Sequence, residues 1–162
     1  MTKNWKTLTA VTLAAVWLLL SLSGCSPSNS PVKVDPPRSH IVGTWEARGP
    51  GSAIATMTLS DDGRLSLTGV PREAFALYGS PYFDKRGELN WKFTINRRGS
   101  WSESASHVAG DAIIRVTIET TQDVPGSVTT MQFERRAGEL VLWISVGDFD
   151  GVDPQRLYFS KI

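Results

Sequence analysis

Apolar and polar residues alternate through most of the chain beyond residue 55. Met57 and Leu59 interleave with Thr56, Thr58 and Ser60, and after Asp61-Asp62-Gly63 the alternation resumes through Leu65 and Leu67. Residues two apart share a face of an extended strand, so this stretch predicts a hairpin of two half-buried strands, with Gly63 free to take the positive φ of a tight turn. Trp91, Phe93 and Ile95 oppose Lys92, Thr94 and Asn96, and Ile114, Val116 and Ile118 oppose Arg115, Thr117 and Glu119. Met131 and Phe133 alternate with Thr130, Gln132 and Glu134, and Arg136-Ala137-Gly138-Glu139 then supplies a turn. Leu140 to Val146 is apolar on both faces, which predicts the most covered strand. With Thr44–Arg48, Ala53–Leu59, Arg64–Thr68, Leu89–Ile95, Ser100–Ser104, Ala112–Glu119, Val128–Glu134 and Arg156–Ile162, about nine strands are expected. Only Pro71–Tyr78 interrupts them. Pro71 suits a first helical position, Glu73 the first turn and Gly79 the stop, so one short helix is predicted there. Short, evenly spaced strands joined by small turns imply an all-β, antiparallel, up-and-down barrel of about eight to nine strands, an arrangement that leaves no exposed sheet edge.

The first 24 residues follow a different pattern. Lys3 and Lys6 precede fifteen uncharged residues, Leu8 to Leu22, and small Ser23 and Gly24 precede Cys25. This is the layout of a secretory signal, and the apolar run is too short for a comfortable membrane span of about 20 residues. Leu22-Ser23-Gly24-Cys25 is similar to a bacterial lipobox, in which a diacylglyceryl group joins the cysteine thiol and the signal is cut before it. A thiol suits thioether formation, small residues admit the protease, and no other cysteine exists in the chain. The alternative is an ordinary secretory signal with an incidental cysteine. Residues 26–40 hold Pro27, Pro31, Pro36 and Pro37 among Ser26, Ser28, Asn29 and Ser30, the composition of a tether. The expected organisation is therefore a signal peptide over 1–24, a lipidated Cys25 with its tether to residue 40, and a barrel domain over 41–162.

Charge narrows the partners. The chain carries 17 Lys+Arg and 16 Asp+Glu, and loss of Lys3 and Lys6 with the signal leaves 15 against 16. Such a balance offers no basic field for nucleic acid and no polybasic membrane patch. The expected attachment is the lipid anchor alone, at the outer face of the bacterial plasma membrane, or at the outer membrane if the host has one. Two or more acyl chains give lasting attachment where one gives only marginal binding.

Ile41-Val42-Gly43-Thr44-Trp45 opens the first barrel strand, and its Gly-x-Trp resembles the start of lipocalin and calycin barrels, whose tryptophan closes one end. A second copy, Gly99-Ser100-Trp101, marks either a half-barrel repeat or coincidence. More of the chain resembles a family of actinobacterial lipoproteins, through Gly43-Thr44-Trp45, Asp61-Asp62-Gly63-Arg64, Val146-Gly147-Asp148-Phe149-Asp150 and Leu157-Tyr158-Phe159. That resemblance covers most of residues 42–160 and implies envelope localisation and a lipocalin-like barrel, without implying a reaction.

Chemistry-bearing motifs are sparse. Asp148-Phe149-Asp150-Gly151-Val152-Asp153 has calcium-like spacing, but the position an EF-hand gives to glutamate falls on Phe159, so a loop of locally bonded aspartates pairing with Arg156 is expected instead. His40 and His107 are the only histidines and do not pair at metal-ligand spacing. No nucleophile elbow, phosphate loop or dinucleotide fingerprint occurs, so no enzymatic activity, cofactor or metal is expected. The aromatic residues Trp45, Trp91, Phe93, Trp101 and Trp143 are the candidate lining of a small apolar ligand site. Phe75, Leu77, Tyr78, Tyr82 and Phe83 form either a lid or a plug at one barrel mouth. Two functions remain open: a membrane-anchored barrel that holds a small apolar ligand, or a solid barrel that acts through protein–protein interaction in the envelope.

Overall fold

The computed structural model describes residues 32–76, 89–104, 112–121, 125–146 and 155–162. Nine strands lie in these segments: β1 (Val32–Lys33), β2 (Gly43–Arg48), β3 (Ile54–Leu59), β4 (Arg64–Pro71), β5 (Thr94–Ser104), β6 (Ile113–Ile118), β7 (Ser127–Arg136), β8 (Glu139–Val146) and β9 (Gln155–Lys161). Two short helical pieces accompany them, α1 (Arg38–Ile41) and a 3-10 turn over Arg72–Phe75. Strands β2 to β9 pair antiparallel with their sequence neighbours, and β9 pairs back onto β2, closing an eight-stranded up-and-down barrel. β1 stands outside this ring. It pairs with the C-terminal half of β7, on the stretch beyond Gln132 where pairing with β6 has stopped.

The expected period-two pattern sets which residues face inward. Trp45 lies opposite Met57, Met57 opposite Leu67, Leu65 opposite Gly99, Trp101 opposite Val116, Ile114 opposite Met131, and Leu142 between Phe133 and Phe159. All eight barrel strands contribute to one contiguous buried cluster, joined by Ile41 of α1 and by Ala74 and Phe75 of the 3-10 turn. An eight-stranded barrel is just wide enough for its own side chains to fill. Trp45 and Phe133, three strands apart around the ring, meet inside it with ring centroids 5.9 Å apart at 53°.

The turns follow their sequence signals. Gly63 takes φ 80°, and its N–H donates to the Ser60 carbonyl at 3.0 Å, closing the β3–β4 hairpin. Ala137 and Gly138 both take positive φ, 50° and 88°, the requirement of a two-residue turn matched to strand twist. β8 is covered on both faces as expected, with outward Val141 buried and outward Trp143 half-buried.

Four segments differ from expectation. The strand expected from Leu89 begins only at Thr94, because Asn90 captures the chain in a turn: its carbonyl accepts from Phe93 N–H at 3.0 Å and its side chain from Lys92 N–H at 3.1 Å. Ser100–Ser104 is not a separate strand but the second half of the eleven-residue β5. Asn96-Arg97-Arg98-Gly99 is extended because Gly99 lets β5 press close to β6, where a Cβ would collide with the Thr117 carbonyl oxygen. The described part of the expected helix Pro71–Tyr78 is a single 3-10 turn, while residues 77–88 lie outside the described segments. In the segment read as tether, β1 and α1 both pack on the barrel.

Candidate functional site: the two ends of the barrel

One end gathers α1, the β3–β4 hairpin, the β7–β8 turn and the C-terminus; it is called the α1 end below. The opposite, loop end gathers the β2–β3 turn, the 3-10 turn, residues 89–93 before β5, residues 119–121 after β6 and the start of β9. Each end is closed differently.

At the α1 end the closure is a polar clasp over two tryptophans. Trp45 Nε1 donates to the Ile41 carbonyl at 2.9 Å, so α1 sits directly over the first indole. Lys161 occupies an inward register position opposite Trp45, and its Nζ lies 5.9 Å from that ring while donating to the carbonyls of His40 at 2.9 Å and Ser39 at 3.4 Å. Gly43 lies in its path: at φ +136°, a Cβ there would come within 2.9 Å of Lys161 Cε. The second indole is held in the same way by other residues. Trp101 Nε1 donates to the Ser60 carbonyl at 2.8 Å, and the Arg38 guanidinium stacks 4.6 Å from the ring. Arg38 also bonds Asp61 Oδ1 at 3.1 Å, the Asp61 carbonyl at 2.6 Å and Glu103 Oε1 at 2.9 Å. These acceptors, Glu103 first and then Asp61, push the guanidinium further above its already high pKa.

At the loop end the closure is apolar. The 3-10 turn leaves β4 and packs against β8, the strand diametrically opposite in the ring, so that Ala74 and Phe75 cross the mouth and join the core. Arg72 N–H donates to the Phe93 carbonyl at 3.1 Å, and Glu73 Oε2 accepts from Asn90 N–H at 3.3 Å, tying the turn to the chain before β5. Phe75 thus plugs the mouth; Leu77, Tyr78, Tyr82 and Phe83 lie outside the described segments.

The five candidate ligand-lining aromatics do not form one site. Trp45 and Trp101 are buried, with both indole N–H groups already bonded to backbone. Trp91 lies half-buried in the turn before β5, its ring flat against Gly49, and Phe93 is 59% exposed at the same end. Trp143 faces outward on β8, with Arg156 stacked 4.1 Å from its ring. Arg156 also approaches Glu134 Oε2 at 3.9 Å. Glu134 is only 3% exposed and faces Arg136 Nε at 3.4 Å, and Arg136 itself stacks 4.2 Å from the Tyr158 ring. Of this outer arginine–aromatic ladder only Trp143 belongs to the expected site. Apart from Glu134 and Arg136, two apart on β7, its partners are 13 to 22 residues apart, and only the registers of β7, β8 and β9 align them.

A polar cleft of about 410 Å³ opens in the barrel wall where β6 ends before β5 does. It is lined by Asn96, Arg97, Arg98, Glu119 and Thr121 among others, with Arg97 donating to Thr121 Oγ1 at 2.6 Å. Such a lining does not suit an apolar guest. Among the described residues no group of three or more His, Cys, Asp or Glu side chains converges on a common point, and no helix is long and apolar enough to cross a membrane. His40 is exposed in α1. Leu22, Ser23, Gly24 and Cys25, His107 and the Asp148–Asp153 cluster lie outside the described residues.

The chain is therefore an antiparallel eight-stranded β-barrel protein. Searches of protein-family models, of curated proteins and of solved structures each return no match to it.

Proposed function

We propose that this protein is a lipid-anchored envelope protein whose barrel is a solid scaffold that acts through its surface on another protein. What carries the reading is the buried cluster inside the barrel. Side chains from all eight barrel strands, Ile41 from one end and Phe75 from the other form a single buried cluster, the packing expected of a barrel filled by its own side chains. Of the two functions open at the level of sequence, the interaction protein is the one this packing supports. Lipocalin-like ligand binding needs a guest volume among the candidate aromatics, and these are distributed over core, rim and outer wall.

The distribution of exposed apolar residues supports a protein partner at the loop end. Three of the four exposed large apolar residues among the described ones lie there, Ile54 at 48% at the start of β3, Phe93 at 59% before β5 and Val128 at 52% at the start of β7, while the fourth, Ile162, lies at the α1 end. The anchor rests on Leu22-Ser23-Gly24-Cys25 behind a charged and then apolar start. Native mass spectrometry of the protein taken gently from its envelope, before and after denaturation, tests the solid barrel. The expected mass is that of the processed chain with its acyl groups; a reproducible extra mass lost on denaturation would make the protein a carrier. Cys25→Ser is expected to move the protein out of the membrane fraction or leave its signal uncut.

A further inference from the structure

From the path of the chain through β1, we propose that the barrel stands on the membrane with its α1 end toward the lipid surface and its loop end outward. The proposal rests on the lipid anchor at Cys25 and adds an orientation to it. β1 runs antiparallel to β7, pairing Val32 with Arg135 and Lys33 with Glu134. β7 ends at Arg136, at the α1 end, so the chain coming from Cys25 reaches the barrel there, beside the β7–β8 turn. Without β1 and α1 the linker from Cys25 to residue 41 would be sixteen residues long, and the domain could tumble at its end. With β1 docked, only the seven steps from Cys25 to Val32 remain.

Lengths decide the geometry. Seven residues reach about 25 Å fully stretched and about 15 Å as a flexible chain. The ten residues of β7 span roughly 33 Å along the strand, or about 25 Å of barrel height at the usual tilt. An inverted barrel would lift the entry point by its own height, which demands a fully stretched leash. The upright arrangement leaves the leash relaxed. The α1 end carries charges of both signs, many already paired, as in Arg38 with Asp61 and Glu103, and Arg64 with Asp62. Orientation therefore comes from the short leash and not from attraction to anionic lipid. It also turns the exposed Ile54, Phe93 and Val128 away from the membrane.

The test uses the full-length lipidated protein in vesicles with a headgroup-labelled acceptor lipid. Lipidation consumes the Cys25 thiol, so Ala137→Cys at the α1 end and Ser52→Cys at the loop end each provide one free thiol for a donor dye. Both positions are exposed. Energy transfer to the membrane is expected to be at least about twofold greater from position 137, given about 25 Å between the ends. Equal transfer, or more from position 52, overturns the orientation. Inserting about 20 Gly/Ser residues between Ser30 and Pro31 is expected to abolish the difference, since the flexible reach then exceeds the barrel height. A difference that survives the insertion overturns the leash as its cause. Cys25→Ser separates the two layers: if the labelled variant stays on the membrane, the lipid anchor itself fails, whereas release combined with equal transfer in the anchored protein condemns only the orientation.

Discussion

The two ends of the barrel solve the same problem with opposite chemistry. At the α1 end, backbone carbonyls of a four-residue helix and a hairpin accept from Trp45, Trp101, Arg38 and Lys161, and the two cations roof the two indoles. At the loop end a single 3-10 turn folds Ala74 and Phe75 across the mouth. A polar clasp is directional and fixes the geometry of what it closes, while an apolar plug depends on volume and tolerates rearrangement around it. β1 also joins the barrel at the clasped end, and of the four exposed large apolar side chains among the described residues Ile54, Phe93 and Val128 lie at the other end, with only Ile162 at the clasped one.

Substitutions can break that contrast. The largest effect is expected for Trp45→Ala, which removes a fully buried ring and the bond to α1; urea unfolding should show a loss of about 3–5 kcal/mol. A change within about 0.5 kcal/mol would place Trp45 at the surface and dissolve the clasp. Phe75→Ala comes next, at about 2–4 kcal/mol, because Phe75 keeps a slight exposure at the mouth. Hydrogen exchange should then rise first in β4 and β8 and leave α1 protected, and uniform exchange would mean that the two ends are not independent.

Lys161→Met keeps the apolar stem over Trp45 and deletes the ammonium, leaving the His40 and Ser39 carbonyls to solvent. A loss of about 1 kcal/mol is expected, read as a shifted urea midpoint at unchanged slope. The smallest effect belongs to Asp62→Asn in the β3–β4 hairpin. Arg64, through its side chain and then its N–H, holds the Asp62 carboxyl below its ordinary value of 3.8. A native pKa below the unfolded one means that the native state binds fewer protons, so this contribution is fully present above about pH 4 and fades as pH falls through the native value. The gap between Asp62→Asn and the parent should therefore narrow in acid and stay constant from pH 5 to 8.

How much of this was legible in the sequence depended on the range of the interaction. The Asp61-Asp62-Gly63 and Ala137-Gly138 turns, the alternation of β3, β4, β6 and β7, and the double-faced β8 are consequences of neighbours two or three residues apart. Asn96–Gly99 misled because glycine between polar residues reads as a break, whereas Gly99 here relieves a close approach between strands. The two Gly-x-Trp copies look like a repeat, yet Gly43 begins β2 at φ +136° and Gly99 lies in mid-strand with no positive φ. Of the candidate aromatics, composition identified all five and could not sort core from rim, since strand register alone separates Trp101 from Trp143.

Local covalent constraint and period-two burial were thus enough to determine an all-β, antiparallel barrel, its hairpins and most of its core. Closure was decided elsewhere: Lys161 reaches carbonyls 121 and 122 residues away, and Arg38 joins Glu103 across 65. Such pairs have no spacing to read. They exist because closing the ring brings α1 and the end of β9 together at one rim, where a lysine in the register of Trp45 meets the Ser39 and His40 carbonyl oxygens of a short helix.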